Sequence, residues 1–152
     1  MAFVNNAYVR RIVGWKVSTS ATASFVLGAL EQAIHDRKPG PEDGLIHHSD
    51  RGVQYLAMNC TQRLAEAKLV PSVGSVGDTY DNALAETING LYKAEVILRQ
   101  RSWPSASAVA LATLNWVGWF NNDRLFGPIE YIPPAEAEAN YYATLETLDM
   151  VA

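Results

Sequence analysis

Thirty-five residues separate Asp50 from Glu86, and Lys93 follows Glu86 by seven, about two helical turns along one face. Asp50 closes the run Leu45-Ile46-His47-His48-Ser49-Asp50-Arg51-Gly52, which is apolar at its start and polar at its end. Glu86 lies within Asp81-Asn82-Ala83-Leu84-Ala85-Glu86-Thr87-Ile88-Asn89-Gly90-Leu91-Tyr92-Lys93. A strand end and a helix can thus present two carboxylates to one point, and carboxylate oxygens are the hard donors that Mg²⁺ takes. Each residue also has an ordinary use. Asp before Arg-Gly commonly bonds its own turn, a helical Glu is often solvated or paired with a neighbour one turn away, and a lone Lys is usually in solvent.

Positioning those side chains requires a scaffold, and the patterning predicts an α/β one. Ala2 to Asn6 and Ile12 to Val17, rich in Val, Ile and aromatics, read as a hairpin. From Thr22, Val26, Ala29, Leu30, Ala33 and Ile34 recur at helical spacing until Pro39-Gly40-Pro41 stops the segment. Leu45 to His48 reads as a strand, so strand, helix and strand in succession imply a crossover onto a parallel neighbour. Tyr55 to Lys68 carries Leu56, Cys60, Leu64 and Ala67 at helical intervals, and a Val70 to Val73 strand follows. Gly74 and Gly77 predict a loop before the Glu86 helix, for which Asp81 or Asn82 is the expected cap and Leu84, Ile88, Leu91 and Tyr92 the packing face. A last long helix is expected from Ser105, its N-cap, to Phe120, with Val109, Trp116, Val117 and Phe120 on one stripe. Beyond Pro133-Pro134 a short helix over Ala135 to Ala143 and a frayed end are expected.

The length of 152 residues suits one domain, with residues 1–129 as its core and 130–152 as an acidic tail of the same domain. No apolar run approaches the roughly 20 residues a membrane helix needs, and polar and basic residues near the start argue against a signal peptide, so a cytoplasmic protein is expected. Cys60 is the only cysteine, which excludes an intrachain disulfide and a cysteine zinc cluster; packing as a small hydrophobe is the expected use. The net charge of −4 opposes nucleic-acid binding at first sight. Five of the 16 acids (Glu130, Glu136, Glu138, Glu146, Asp149) fall in 130–152, however, where no base occurs. The remaining 12 bases and 11 acids are near balance.

Other candidate sites are weaker. Adjacent His47 and His48 on a strand face opposite ways, which disfavours zinc. Gly74-Ser75-Val76-Gly77-Asp78 lacks the Gly-Lys-Ser/Thr ending of a phosphate loop. Trp103, Trp116, Trp119 and Phe120 could stack bases, but their spacing favours a core. Arg10 and Arg11, in the hairpin link, would either touch a DNA backbone or sit in solvent.

The words around the two acids say more than their spacing. His-Ser-Asp-Arg-Gly with Gln54-Tyr55, then Ser75-Val76-Gly77-Asp78-Thr79-Tyr80-Asp81-Asn82-Ala83-Leu84-Ala85-Glu86, resembles the catalytic core of bacterial insertion-sequence transposases of the OrfB type, in the retroviral-integrase-like superfamily. The likeness continues through Arg10-Arg11-Ile12-Val13-Gly14-Trp15, Trp119-Phe120-Asn121-Asn122-x-Arg124 and Tyr131-x-Pro133-Pro134, nearly the whole chain.

That resemblance implies a ribonuclease-H-like fold, a mixed sheet flanked by helices, and three acids holding two Mg²⁺ (or Mn²⁺) ions for DNA strand cleavage and transfer. It assigns Asp50 as a bridging ligand, Glu86 as a second ligand and Lys93 to a DNA phosphate. The family's first acid sits on a strand preceding the segment matched by Ala2 to Tyr8, so the resemblance implies an N-terminally truncated core lacking that strand and inactive alone. Asn5-Asn6 stands where relatives carry an apolar residue and an Asp, and Asn6 is no substitute ligand. The implied partners are DNA, at element ends and target, and full-length transposase or a second copy, which a non-catalytic interaction protein would also bind. An open sheet and marginal stability are expected.

Overall fold

The computed structural model describes residues 1–20, 23–49, 54–73 and 79–151. Its first segment forms the expected hairpin: β1 (Ala2–Asn5) pairs antiparallel with β2 (Ile12–Lys16), placing Phe3 opposite Trp15 and Val4 opposite Gly14. Asn6 closes the link, its Oδ1 accepting the N–H of Tyr8 (2.9 Å) and of Val9 (3.1 Å), while its own N–H donates to the Arg11 carbonyl (2.8 Å). A short amide that bonds its own turn accounts for Asn at this position without any ligand role.

Helix α1 (Ala23–Arg37) lies against β2 and buries Ala29, Leu30 and Ala33. The approach is close enough that a Cβ on Gly14 would overlap the Ala29 carbonyl oxygen. Strand β3 (Ile46–Ser49), helix α2 (Gln54–Glu66) and strand β4 (Val70–Val73) follow, β4 pairing parallel to β3 with Ile46 opposite Val70. The parallel neighbour of β3 is therefore β4, reached through α2.

Helix α3 (Thr79–Tyr92) begins earlier than predicted, so Asp81 and Asn82 fall inside its first turn instead of capping it. Leu84, Ile88 and Tyr92 are buried, as the periodicity requires. The chain then widens into a π turn (Lys93–Ile97) in which the Leu98 N–H reaches back to the Lys93 carbonyl at 2.8 Å. Helix α4 (Ala106–Asn122) starts at the expected N-cap, with the Ser105 hydroxyl accepting from Ala108 N–H at 3.1 Å. Helix α5 (Pro134–Val151) corrects the expected short helix and frayed end: it continues to Val151.

The core lies where α3, the π turn and α4 meet the hairpin. Ile12, Leu84, Ile88, Tyr92, Val96, Trp116, Val117 and Phe120 form one cluster, with ring centroids of Phe3, Tyr92, Trp116 and Phe120 spaced 5.1 to 5.3 Å along the series Phe3–Tyr92–Trp116–Phe120. Edge-on and tilted rings at such distances add to the burial of their area. Thr113 donates to the Val109 carbonyl (2.7 Å), which leaves its oxygen to accept the Tyr92 hydroxyl (2.8 Å) in the buried core.

The architecture is α/β, but the single mixed sheet is replaced, among the described residues, by two separate two-stranded sheets, β1-β2 and β3-β4. No described strand joins them. Among the described residues each strand thus keeps one edge without a strand neighbour, the arrangement that invites strand addition.

Candidate functional site

Of the two predicted carboxylates, Glu86 can be placed. It is exposed near the middle of α3, and its carboxylate has no hydrogen-bond or ion-pair partner among the described residues. Lys93 is exposed at the first position of the π turn, two turns beyond Glu86. Asp50 lies outside the described residues, as does Gly74 to Asp78. Strand β3 runs to Ser49, immediately before Asp50.

The donor chemistry fits a hard divalent cation in kind: Glu86 offers uncommitted carboxylate oxygens, and its helix presents no competing thiol or imidazole. Among the described residues, no group of three His, Cys, Asp or Glu side chains is gathered to hold an ion. His47 and His48 do not alter this. His47 is partly buried, its Nδ1 enclosed without a hydrogen-bond partner, and burial first, then the neighbouring His48, pushes its pKa down; His48 is exposed. Cys60 is half-buried, and burial raises its thiol, so the small-hydrophobe expectation stands over a nucleophilic one.

The arginines of the hairpin divide. Arg11 forms an ion pair with Glu138 of α5, which also takes Arg37 from the end of α1. Glu138 is 5% exposed, so one buried carboxylate ties three elements together, and the Arg11 charge is engaged inside the molecule. Arg10 takes a left-handed φ of 63°, and its Nε is buried without a hydrogen-bond partner. The region 130–152 is therefore more than a solvated acidic tail: at Glu138 it is docked onto the core.

Two further groupings were not foreseen. Glu95, turned inward by the π turn, accepts from the Trp116 indole N–H (2.8 Å) and from Arg124 Nη1, which lies 2.8 Å from each carboxylate oxygen. Burial alone would raise the Glu95 carboxyl, but the bonds from Arg124 and Trp116 outweigh it and hold its pKa below the usual value. The Arg124 guanidinium in turn lies 5.3 Å over the Trp119 ring and 5.5 Å over Phe120. Asn121, buried, pairs with both backbone groups of Ile12. Within the run Trp119-Phe120-Asn121-Asn122-x-Arg124, Phe120, Asn121 and Arg124 make structural contacts. Trp116 is core, whereas Trp119 is 44% exposed beneath Arg124.

No helix among the described residues is long and apolar enough to cross a membrane. An integrase core domain family matches residues 1–79, and a second family of the same description matches residues 68–134. The chain is 53% identical over its full length to the transposase for insertion sequence element IS629 of Shigella sonnei, of which it covers 50%. It is 53% identical over 146 residues, 94% of the chain and 52% of the relative, to a putative transposase for IS986/IS6110 of Mycobacterium tuberculosis. Over 133 residues it is 28% identical to the transposase for IS904 of Lactococcus lactis, covering 88% of the chain and 52% of that protein. The chain thus spans about half the length of the curated relatives it matches. No solved structure matches it. With strands and helices together in the described residues and an integrase-core match from residue 1 to residue 134, the chain belongs to the integrase core domain family.

Proposed function

We propose that this chain supplies part of the catalytic core of an insertion-sequence transposase, whose reaction is metal-dependent cleavage and transfer of DNA strands on a ribonuclease-H-like scaffold. Asp50 and Glu86 are the carboxylates that hold Mg²⁺ or Mn²⁺. The observation that carries this reading is the division of the integrase-core match: Asp50 falls within residues 1–79 and Glu86 within 68–134, in a chain 53% identical to a transposase along its whole length. When bound, the metal supplies positive charge for an attacking and a leaving oxygen. Glu86 contributes from a helix anchored by Leu84, Ile88 and Tyr92, with no partner among the described residues to neutralise its carboxylate. Lys93, at the start of the π turn that follows the helix, would hold a DNA phosphate.

The family reading calls for three carboxylates, and among the described residues the sheets β1-β2 and β3-β4 are not joined. A strand between β1 and β3 would join the two described sheets and carry the third acid that the family reading calls for. The loss of one ligand from a site that works through positioned charge is expected to lower the rate at least about a hundredfold, equivalent to roughly 3 kcal/mol.

The test is nicking of a labelled duplex carrying element ends in Mg²⁺ or Mn²⁺, comparing this chain, a longer protein containing it, and Asp50→Asn and Glu86→Gln variants of the longer protein. Activity of the longer protein that survives either substitution rejects the assignment. The open edges also favour a second reading, a non-catalytic protein that pairs with full-length transposase. Capture of transposase by this chain, with nicking suppressed, supports that reading; absence of association removes it.

A further inference from the structure

The segment from Lys93 to Arg101 carries Lys93, Arg99 and Arg101 in a chain of net charge −4. All three are exposed, and none has an ion-pair partner among the described residues. The one acid of the segment, Glu95, faces inward and is already paired with Arg124; Arg99 adds to the positive field on it. The outward surface of this segment is therefore basic with no acid of its own to offset it. By contrast Arg11, Arg37, Arg63 and Arg124 are all committed to carboxylates.

The basic turn is also held in place. The Leu98 N–H bonds the Lys93 carbonyl at 2.8 Å, and the Trp103 indole N–H reaches the Ile97 carbonyl at 3.3 Å, which folds residues 98 to 103 back onto the end of the helix. Trp103 and Ile97 pack on the hydrophobic core. Such anchoring lowers the ordering cost when the three cations meet a ligand.

We propose that Lys93, Arg99 and Arg101 form a phosphate-binding ridge that grips the backbone of duplex DNA beside the Glu86 face. The inference rests on the proposed action on DNA, and it adds Arg99 and Arg101 to the contact surface. Contacts of this kind position the duplex without reading its sequence. They release counterions, so each lost contact lowers the slope of log affinity against log salt by about 0.9.

The experiment measures binding of the whole chain to a fluorescent duplex across a salt series, with EDTA present so that no metal bridge contributes. Arg99→Ala with Arg101→Ala is expected to reduce the slope by about 1.8, two contacts' worth, whereas Arg99→Lys with Arg101→Lys keeps most of it because charge is retained. Lys38→Gln with Lys68→Gln, which removes two exposed charges elsewhere, should leave the slope unchanged. An unchanged slope in the Ala pair, an equal fall in the Lys38/Lys68 control, or no binding by the wild-type chain overturns the ridge. A salt-dependent self-association abolished by the Ala pair while DNA binding is intact also overturns it, because the acidic helix α5 of a second copy would then be the occupant. Nicking by the longer protein with an unchanged slope rejects the ridge alone; a reduced slope without metal-dependent nicking rejects the catalytic reading alone.

Discussion

The carboxamide of Asn121 pairs twice with the backbone of Ile12: its Oδ1 accepts the Ile12 N–H and its Nδ2 donates to the Ile12 carbonyl, both at 2.9 Å. A side chain here takes the place of a strand neighbour, and it fastens α4 to the hairpin in the buried core. Replacing Asn121 with Ala leaves a buried donor and a buried acceptor unpaired, at about 1–3 kcal/mol each. Asn121→Ala should therefore lower the unfolding free energy by about 2–6 kcal/mol in urea titration. A loss below about 0.5 kcal/mol would show that water replaces the amide and that the pairing is not structural.

The glycines make a paired prediction. A methyl group on Gly14 would meet the Ala29 carbonyl oxygen, a backbone atom that cannot swing away, so β2 and α1 would have to part. Gly14→Ala should cost at least about 1–3 kcal/mol. Gly90, inside α3, has nothing within contact of an added Cβ, and Gly90→Ala should instead raise stability by about 0.5–1 kcal/mol through helix propensity. Thermal midpoints that move the same way for both substitutions would contradict this packing.

Acid should weaken the π turn through Glu95. Its folded pKa is depressed, so the ionised form contributes stability above the ordinary carboxyl value of 4.5, and that contribution is lost as pH falls toward and through the folded value. The thermal midpoint should drop more steeply below about pH 4.5 in the wild type than in Glu95→Gln, which keeps an acceptor for Trp116 and Arg124 but has no carboxyl to protonate. Superimposable pH profiles would mean that the bonds from Arg124 and Trp116 do not favour the charged form.

Much of the scaffold was legible because its signals are local. The apolar periodicity at Leu84, Ile88 and Tyr92, the Ser105 cap and the Pro39-Gly40-Pro41 stop each act within a few residues, and each element appears close to its predicted place. The ties that assemble those elements are not local. Asn121 and Ile12 are 109 residues apart and Glu138 and Arg11 are 127 apart, so nothing in the neighbourhood of either residue announces its partner. The π turn was hidden for another reason: Tyr92, Glu95 and Val96 also fit an ordinary helical spacing, and the widened backbone bond leaves no mark on the pattern. At the candidate site, the exposure of Glu86 and Lys93 agrees with their polar types. The proposed meeting of Glu86 with Asp50, which lies outside the described residues, would depend on a sheet whose two described parts are not joined.

Glu138 offers the sharpest test of how α5 is attached. Its carboxylate is enclosed, whereas Arg11 and Arg37 retain 36% and 28% of their side-chain exposure and can return to water. Glu138→Gln removes the charge that holds both guanidinium groups and leaves one carbonyl oxygen as acceptor. Because the freed arginines can be resolvated, the cost should fall below the roughly 3–5 kcal/mol of stranding a buried charge, at about 1–3 kcal/mol. From Ala139 to Met150 the helix is exposed, with the Tyr8–Tyr141 ring contact at 5.3 Å as its tie to the hairpin, so the loss should be local. Hydrogen exchange should quicken at least about fivefold along residues 134–151 while the amides of α3 and α4 change much less. Equal acceleration everywhere would make Glu138 a support of the global fold instead of the latch for its last helix.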